Sequence, residues 1–189
     1  TTYRFLPCEC RSQVRLLFRC LHSSVWFFIA ALDVPVLLKE TGCGMAGDFA
    51  RTARELGASA IDVGGTGGTS WGWIEGFRAA DPQRQAIGAT FRDWGVPTAD
   101  AVVACRAALG PEFPIVATGG VRSGLDAATA LALGADVAGM ALPFFRAADA
   151  STEEALAFGR RVIEELRIAT LCSGAASPRA LRDVPLEPR

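Results

Sequence analysis

Gly119-Gly120-Val121-Arg122 follows a short apolar run and leads into an Ala/Leu-rich segment, and a second apolar run then stops at Met140-Ala141-Leu142-Pro143. Two such exits, one strand–helix unit apart, suit a phosphate. An anion at the C-terminal end of a strand needs backbone N–H groups aimed at it, and glycines at 119 and 120 remove the Cβ atoms that would block its approach. The amides of Val121 and Arg122 lie just ahead of a helix N-terminus, and the Arg122 guanidinium can add a bidentate contact. Ala141 and Leu142 offer two more amides from the next strand, enough to close a cup. The plainer alternative is a tight turn with Arg122 in water; two successive exits of matching chemistry favour the phosphate.

Lys39 ends another apolar run, with Glu40 directly behind it. A lysine there projects into the mouth of a parallel sheet, where a fixed cation meets an electron-rich ring, or it simply reaches water. Thr66 and Thr69, in "VGGTGGTSW" (63–71), supply hydroxyls on a glycine-rich loop at the same mouth. Asp62 has two readings: it faces a barrel interior, or it pairs with a nearby cation as a buried structural carboxylate.

The elements that must position these residues alternate regularly. "VPVLLKE" (34–40), "SAIDVGG" (59–65), "FPIVATGG" (113–120) and "ADVAGMALP" (135–143) read as strands, each apolar enough to be covered on both faces. Helices follow in "GDFARTARELG", with Phe49, Ala53 and Leu56 on one face, in "VPTADAVVACRAALG", with Thr98 as cap, and in "SGLDAATALALG". Gly57, Gly110 and Gly134 are placed to close them. A last helix opens at Ser151-Thr152-Glu153-Glu154, a capping box. The segment between Thr66 and Gly95 reads as a long polar-aromatic loop, with Trp71, Trp73 and Trp94 packing within it. Four strand–helix units imply parallel strands with crossover helices, either a small open α/β domain or half of a (β/α)8 barrel, which takes about 250 residues when complete.

Composition excludes several function classes. A net charge of −1 provides no basic field to recruit nucleic acid or an anionic membrane. Six irregularly spaced cysteines do not form a secreted disulfide framework, and a reducing cytoplasm is the simpler setting. Residues 1–28 differ in character from the rest and read as an atypical leader, disordered or non-native, ahead of a partial barrel at 29–189. Cys8-x-Cys10 and Cys20-x-His22 do not have the spacing of a zinc knuckle, and "VWFFIAAL" (25–32) is too short to span a membrane.

"VPVLLKETGCGM", "AIDVGGTGGTSW", "FRDWGVPTA" and "ATGGVRSGLDAATALALGADVAGMALPF" together resemble type 2 isopentenyl-diphosphate isomerase, from about Val34 to "TLCSGA". That resemblance implies the C-terminal half of a (β/α)8 (TIM) barrel, strands five to eight, and an FMN-dependent isomerase of isoprenoid biosynthesis. The implied reaction moves a C=C bond, from isopentenyl to dimethylallyl diphosphate, with reduced FMN as acid and base. NADPH would keep the flavin reduced, and Mg2+ would hold the substrate diphosphate through ligands outside this sequence. Carried over by position, Lys39 and Thr69 contact the flavin, while Gly120, Val121, Arg122, Ala141 and Leu142 hold its phosphate beside Gly119. A small-molecule substrate and, for complete members, a homo-oligomer are also implied.

The family's Asn-x-x-Gln-Glu segment, with its catalytic glutamine and metal-binding glutamate, has no match in these 189 residues. Two parallel edge strands, near 34–38 and 136–140, are expected to lack partners and to invite self-association. Other FMN barrels fit less well: the 2-hydroxy-acid oxidases need a histidine near the seventh strand, and inosine-monophosphate dehydrogenase needs a cysteine in the loop that here reads "GTGGTSW". A Rossmann domain lacks its G-x-G-x-x-G turn into a helix. The 189-residue chain is therefore expected to show no isomerase turnover with FMN, NADPH, Mg2+ and isopentenyl diphosphate; measurable turnover contradicts this.

Overall fold

The computed structural model describes residues 25–187. The Cys8-x-Cys10 and Cys20-x-His22 pairs and nearly all of the leader lie outside those residues. Of the rest of the leader, 25–28 belong to a helical stretch at 25–30 (α1) whose Trp26, Phe27 and Phe28 are exposed.

Four strands, β1 (Leu37–Lys39), β2 (Ala60–Asp62), β3 (Ile115–Ala117) and β4 (Val137–Ala138), form one sheet in the order β1-β2-β3-β4. Every pairing is parallel: Leu38 faces Ile61, Ile61 faces Ile115, and Val116 faces Val137. The strictly sequential order decides between the two architectures. A doubly wound sheet reverses its strand order at a switch point, whereas a barrel keeps winding one way.

Helices α2 (Gly47–Glu55), α5 (Thr98–Leu109) and α6 (Gly124–Ala132) join successive strands. The core lies between them and the sheet, where Ile61, Val63, Ile115 and Ala117 meet Ala50, Ala53, Val102 and Cys105. Burial pushes the Cys105 thiol up to about 11, and its Sγ donates to the Met45 carbonyl at 3.5 Å. This cysteine serves packing. The inner face of α2 is carried by Ala50 and Ala53, with Phe49 and Leu56 only half-buried.

The central strands are covered and the outer ones are not. Leu37 in β1 is 45% exposed and Val137 in β4 is 53% exposed, so the expectation that all four strands are covered on both faces fails at the edges. Among the described residues neither edge has a further strand.

Three readings of the chain need correction. The segment 66–95 is not a loop but contains two helices, α3 (Trp71–Arg78) and α4 (Pro82–Thr90), capped by Ser70 and by Asp81 ahead of Pro82. They cross at Gly76 and Gly88, where a Cβ on Gly76 would approach the Gly88 Cα to 2.7 Å. Trp73 packs beneath the Arg92 guanidinium at 4.5 Å, whereas Trp71 is largely exposed. The fourth strand stops at Ala138, and Leu142–Ala150 forms a short helix, α7, with Pro143 in its first turn. The third concerns α8 (Thr152–Cys172): Ser151 accepts from the Glu154 amide, but its own N–H goes to the Ala147 carbonyl, so the capping box is half formed.

The far end of the sheet is tied by charge. Asp136 accepts from the Ile115 amide at 2.8 Å, from Arg106 Nη2 at 2.7 Å and from Arg182 in the 3-10 helix Pro178–Asp183. Partial burial alone would raise this carboxyl; the Ile115 N–H and the two guanidinium groups outweigh it and hold it below the ordinary range.

Helix α6 crosses α8 closely at Gly124, where an added Cβ collides with the Val162 carbonyl. Gly124→Ala is expected to cost about 1–3 kcal/mol by overpacking. Urea unfolding checks it, with a lower midpoint and an unchanged slope.

Candidate functional site

The strands end on one side of the sheet, and the residues singled out by chemistry gather there. Lys39 closes β1, Asp62 closes β2, and Thr118 directly follows β3. Lys39 Nζ donates to Asp62 Oδ2 at 2.9 Å and to Thr118 Oγ1 at 2.8 Å. Thr118 Oγ1 donates in turn to Asp62 Oδ1 at 2.6 Å, and the Gly64 amide reaches the same oxygen at 3.0 Å. Asp62 is therefore the buried partner of a cation, the second of its two readings. Lys39 both serves that pair and, with its side chain half-exposed, faces the mouth.

The glycines at 119 and 120 have a first duty toward the neighbouring loop. Gly119 (φ +103°) and Gly120 (φ +80°) sit where a side chain is strained. A Cβ on Gly119 would also collide with the Gly65 carbonyl, and one on Gly120 would lie 2.6 Å from the Gly67 carbonyl. The loops after β2 and β3 thus pack backbone on backbone. Arg122 spans the seam, its Nη1 donating to the Gly120 carbonyl at 2.9 Å and its Nη2 to the Gly67 carbonyl at 2.6 Å.

Of the amides assigned to the cup, that of Arg122 is taken by Asp126 Oδ2 at 2.9 Å within the capping box of α6. Ala141 is the N-cap of α7 and Leu142 its first residue. The opening amides of a helix have no partner within it, and the positive end of its dipole faces the same way. Thr69 is exposed on the β2 loop, its carbonyl packed against Gly42.

Thr98 does not cap α5. Pro97 holds the N-cap position, and Thr98 Oγ1 donates to the Gly119 carbonyl at 2.6 Å, pinning the glycine turn from below. Against that turn lies a cavity of about 200 Å³ whose lining includes Thr98, Val102, Val121, Asp126, Ala130 and Leu133.

Two contributions escaped the sequence reading. Thr118 lies inside the quoted glycine motif, but nothing in a lone threonine marks it as a partner of residues 56 and 79 positions away. Glu40, noted only as Lys39's neighbour, accepts from the amides of Gly42, Cys43 and Gly44 at 2.6, 2.7 and 2.9 Å. Its spacing to Gly42 and Gly44 was the available signal.

Among the described residues no group of three or more His, Cys, Asp or Glu side chains is placed to hold a metal ion. No described helix is long and apolar enough to cross a membrane.

Sequential parallel strand–helix units, with a lysine and the start of a helix at the strand ends, define part of a (β/α)8 barrel. The chain belongs to the FMN-dependent dehydrogenase family, whose pattern matches residues 22–184. It is 46% identical over 157 residues to the isopentenyl-diphosphate delta-isomerase of Stutzerimonas stutzeri, covering 83% of this chain and 45% of that protein. It is 47% identical over 156 residues to the enzyme of the same name from Xanthobacter autotrophicus, covering 82% and 45%. Among solved structures it is similar to a mandelate oxidase variant with a monooxide FMN adduct, with a TM-score of 0.63, 26% identity, and coverage of 85% of this chain and 44% of that one. The chain spans about half the length of the curated relatives it matches.

Glu40 yields a pH test. Partial burial alone would raise this carboxyl; the N–H groups of Gly42, Gly44, Cys43 and Thr41 outweigh it and lower it from the ordinary 4.5. A depressed folded value adds stability that is complete above the unfolded value and lost as pH falls through the folded one. The stability gap between the wild-type chain and Glu40→Gln is expected to be full at neutral pH and to close as pH falls below the ordinary 4.5 and through the lowered folded value. Urea midpoints measured across that range check it.

Proposed function

We propose that the strand-end mouth of this chain binds FMN, and that the chain is the C-terminal half of a barrel that isomerises isopentenyl diphosphate to dimethylallyl diphosphate. The observation that carries this reading is the Lys39 ammonium, pinned by Asp62 and Thr118 next to the Gly119-Gly120 turn. The likeness to isopentenyl-diphosphate delta-isomerases over four-fifths of the chain supports the choice of reaction.

The donor set fits such a cofactor. Lys39 presents a half-exposed cation to the ring, and Thr69 lies exposed on the loop beside it. For the phosphate, the start of α7 at Ala141 and Leu142 supplies amides and a favourable dipole. Gly120 and Val121 line the facing turn, and Arg122 can turn its guanidinium from the two carbonyls onto phosphate oxygens.

When bound and reduced, FMN supplies the proton donor and acceptor for moving the double bond. This chain holds the ring's charge with Lys39, neutralises the phosphate and fixes both relative to the sheet; positioning and electrostatics are the protein's share with such cofactors. NADPH as reductant, Mg2+ on the substrate diphosphate, a cytoplasmic setting and homo-oligomeric assembly of the complete barrel belong to the same reading. Hydroxy-acid oxidation is disfavoured because the sequence's sole histidine, His22, is far from the strand ends in sequence.

FMN titration of the chain, followed by flavin fluorescence, tests this. Saturable quenching is expected, weakened about 10- to 100-fold in Arg122→Ala, as befits losing a hydrogen bond to a charged group. No saturable quenching in the wild-type chain overturns the reading.

A further inference from the structure

Of the 19 Lys and Arg residues in the sequence, Lys39 is the sole lysine. Every other cationic position carries arginine, whose guanidinium is a flat fork; an ammonium presents three donors in a tetrahedral array. The geometry at the strand ends uses that difference. Two donors of Lys39 are committed, to Asp62 Oδ2 and to Thr118 Oγ1, and these acceptors come from different strands. The hydroxyl of Thr118 has one proton, which it gives to Asp62 Oδ1, so its oxygen meets Lys39 only as an acceptor.

Thr118 is itself fixed from the other side. Its methyl carbon packs against Gly139, just beyond β4, so closely that a Cβ there would lie 2.7 Å away. A β-branched side chain held at both branches has one rotamer open to it. The clamp therefore reaches all four strand ends, with Asp62 nearly buried beneath it and the lysine half-exposed above.

We propose that Thr118 is a positioning residue: together with Asp62 it holds the Lys39 ammonium so that its third N–H is directed into the mouth, toward the electron-rich edge of the flavin ring. Asp62 alone fixes where the cation sits, and the second acceptor fixes how it is turned. The flavin as target rests on the function proposed above; the clamp itself does not. A cation held against the ring favours the reduced, more electron-rich flavin over the oxidised one, and a loosened lysine loses that preference.

The single lysine makes the test direct. The full 189-residue chain, labelled with nitrogen-15 at lysine Nζ, gives one ammonium signal, read without any flavin. A clamped ammonium shows slow proton exchange in the wild-type chain, fast exchange in Thr118→Val, and slow exchange restored in Thr118→Ser. Fast exchange in the wild-type chain overturns the proposal with no variant needed, and if Thr118→Val does not fold, Thr118→Ala is read in its place with the same expected fast exchange. Slow exchange that persists in Thr118→Val overturns it as well. With FMN added, the ratio of affinities for reduced over oxidised flavin is expected to fall about tenfold in Thr118→Val, roughly 30 mV for a two-electron couple, and to hold in Thr118→Ser. An unchanged ratio in Thr118→Val removes the directing role. Absence of FMN binding by the wild-type chain sinks the proposed function instead, while the exchange measurement still decides the clamp.

Discussion

A carboxylate buried where parallel strands end needs compensation, and Asp62 receives it from three directions. Removing a charge from water costs several kcal/mol unless it is paired and its remaining lone pairs are bonded. Lys39, Thr118 and the Gly64 amide meet that need, and in meeting it they fix β1, β2 and the β3 exit relative to one another. The strands themselves are only two or three residues long, so their ladder bonds alone define the sheet's end loosely. The ion pair gives that end a set geometry. Its position at the C-terminal side of the strands is also where barrel enzymes place their chemistry.

Around this pair the loops leave little room to move. Gly65 and Gly67 meet Gly119 and Gly120 without side chains between them, Thr98 bonds the turn from α5, and Arg122 bridges both carbonyl sets. Glu40 ties down the β1 exit with three amides. A mouth assembled in this way places its donors before a ligand arrives, which lowers the ordering cost of binding. The glycines thus have two consequences from one cause: the loops approach closely, and bare backbone faces the mouth.

The alternation of apolar runs and helices was legible, because buried parallel strands write themselves as continuous Val, Ile and Leu and close with glycine. So was the gathering of Lys39 and the Gly119–Arg122 segment at one end, since all strand exits in such a fold point the same way. Helices α3 and α4 were hidden by their composition. Gly72, Gly76 and Gly88 and the aromatics lower helix propensity, and only the Ser70 and Asp81-Pro82 starts betrayed them. α7 was concealed by an apolar stretch that continues the preceding strand in sequence, although the strand ends at Ala138 and the helix begins at Leu142. Thr98 had the residue type and position of a cap, yet a carbonyl from another loop took its hydroxyl. The Arg106–Asp136–Arg182 cluster joins residues 30 and 46 positions apart and follows no local pattern.

A double-mutant cycle of Lys39→Met and Asp62→Asn, read by urea unfolding, tests most directly whether this pair organises the strand ends. The account predicts a coupling energy of at least about 1 kcal/mol, within the range for residues in one ion-pair network, with Lys39→Met the more costly single change because it leaves the buried Asp62 carboxylate without its cation, whereas the half-exposed lysine can turn to water when Asp62 is replaced. Additive effects of the two substitutions would show that the strand ends hold their geometry without the pair, and would contradict the account.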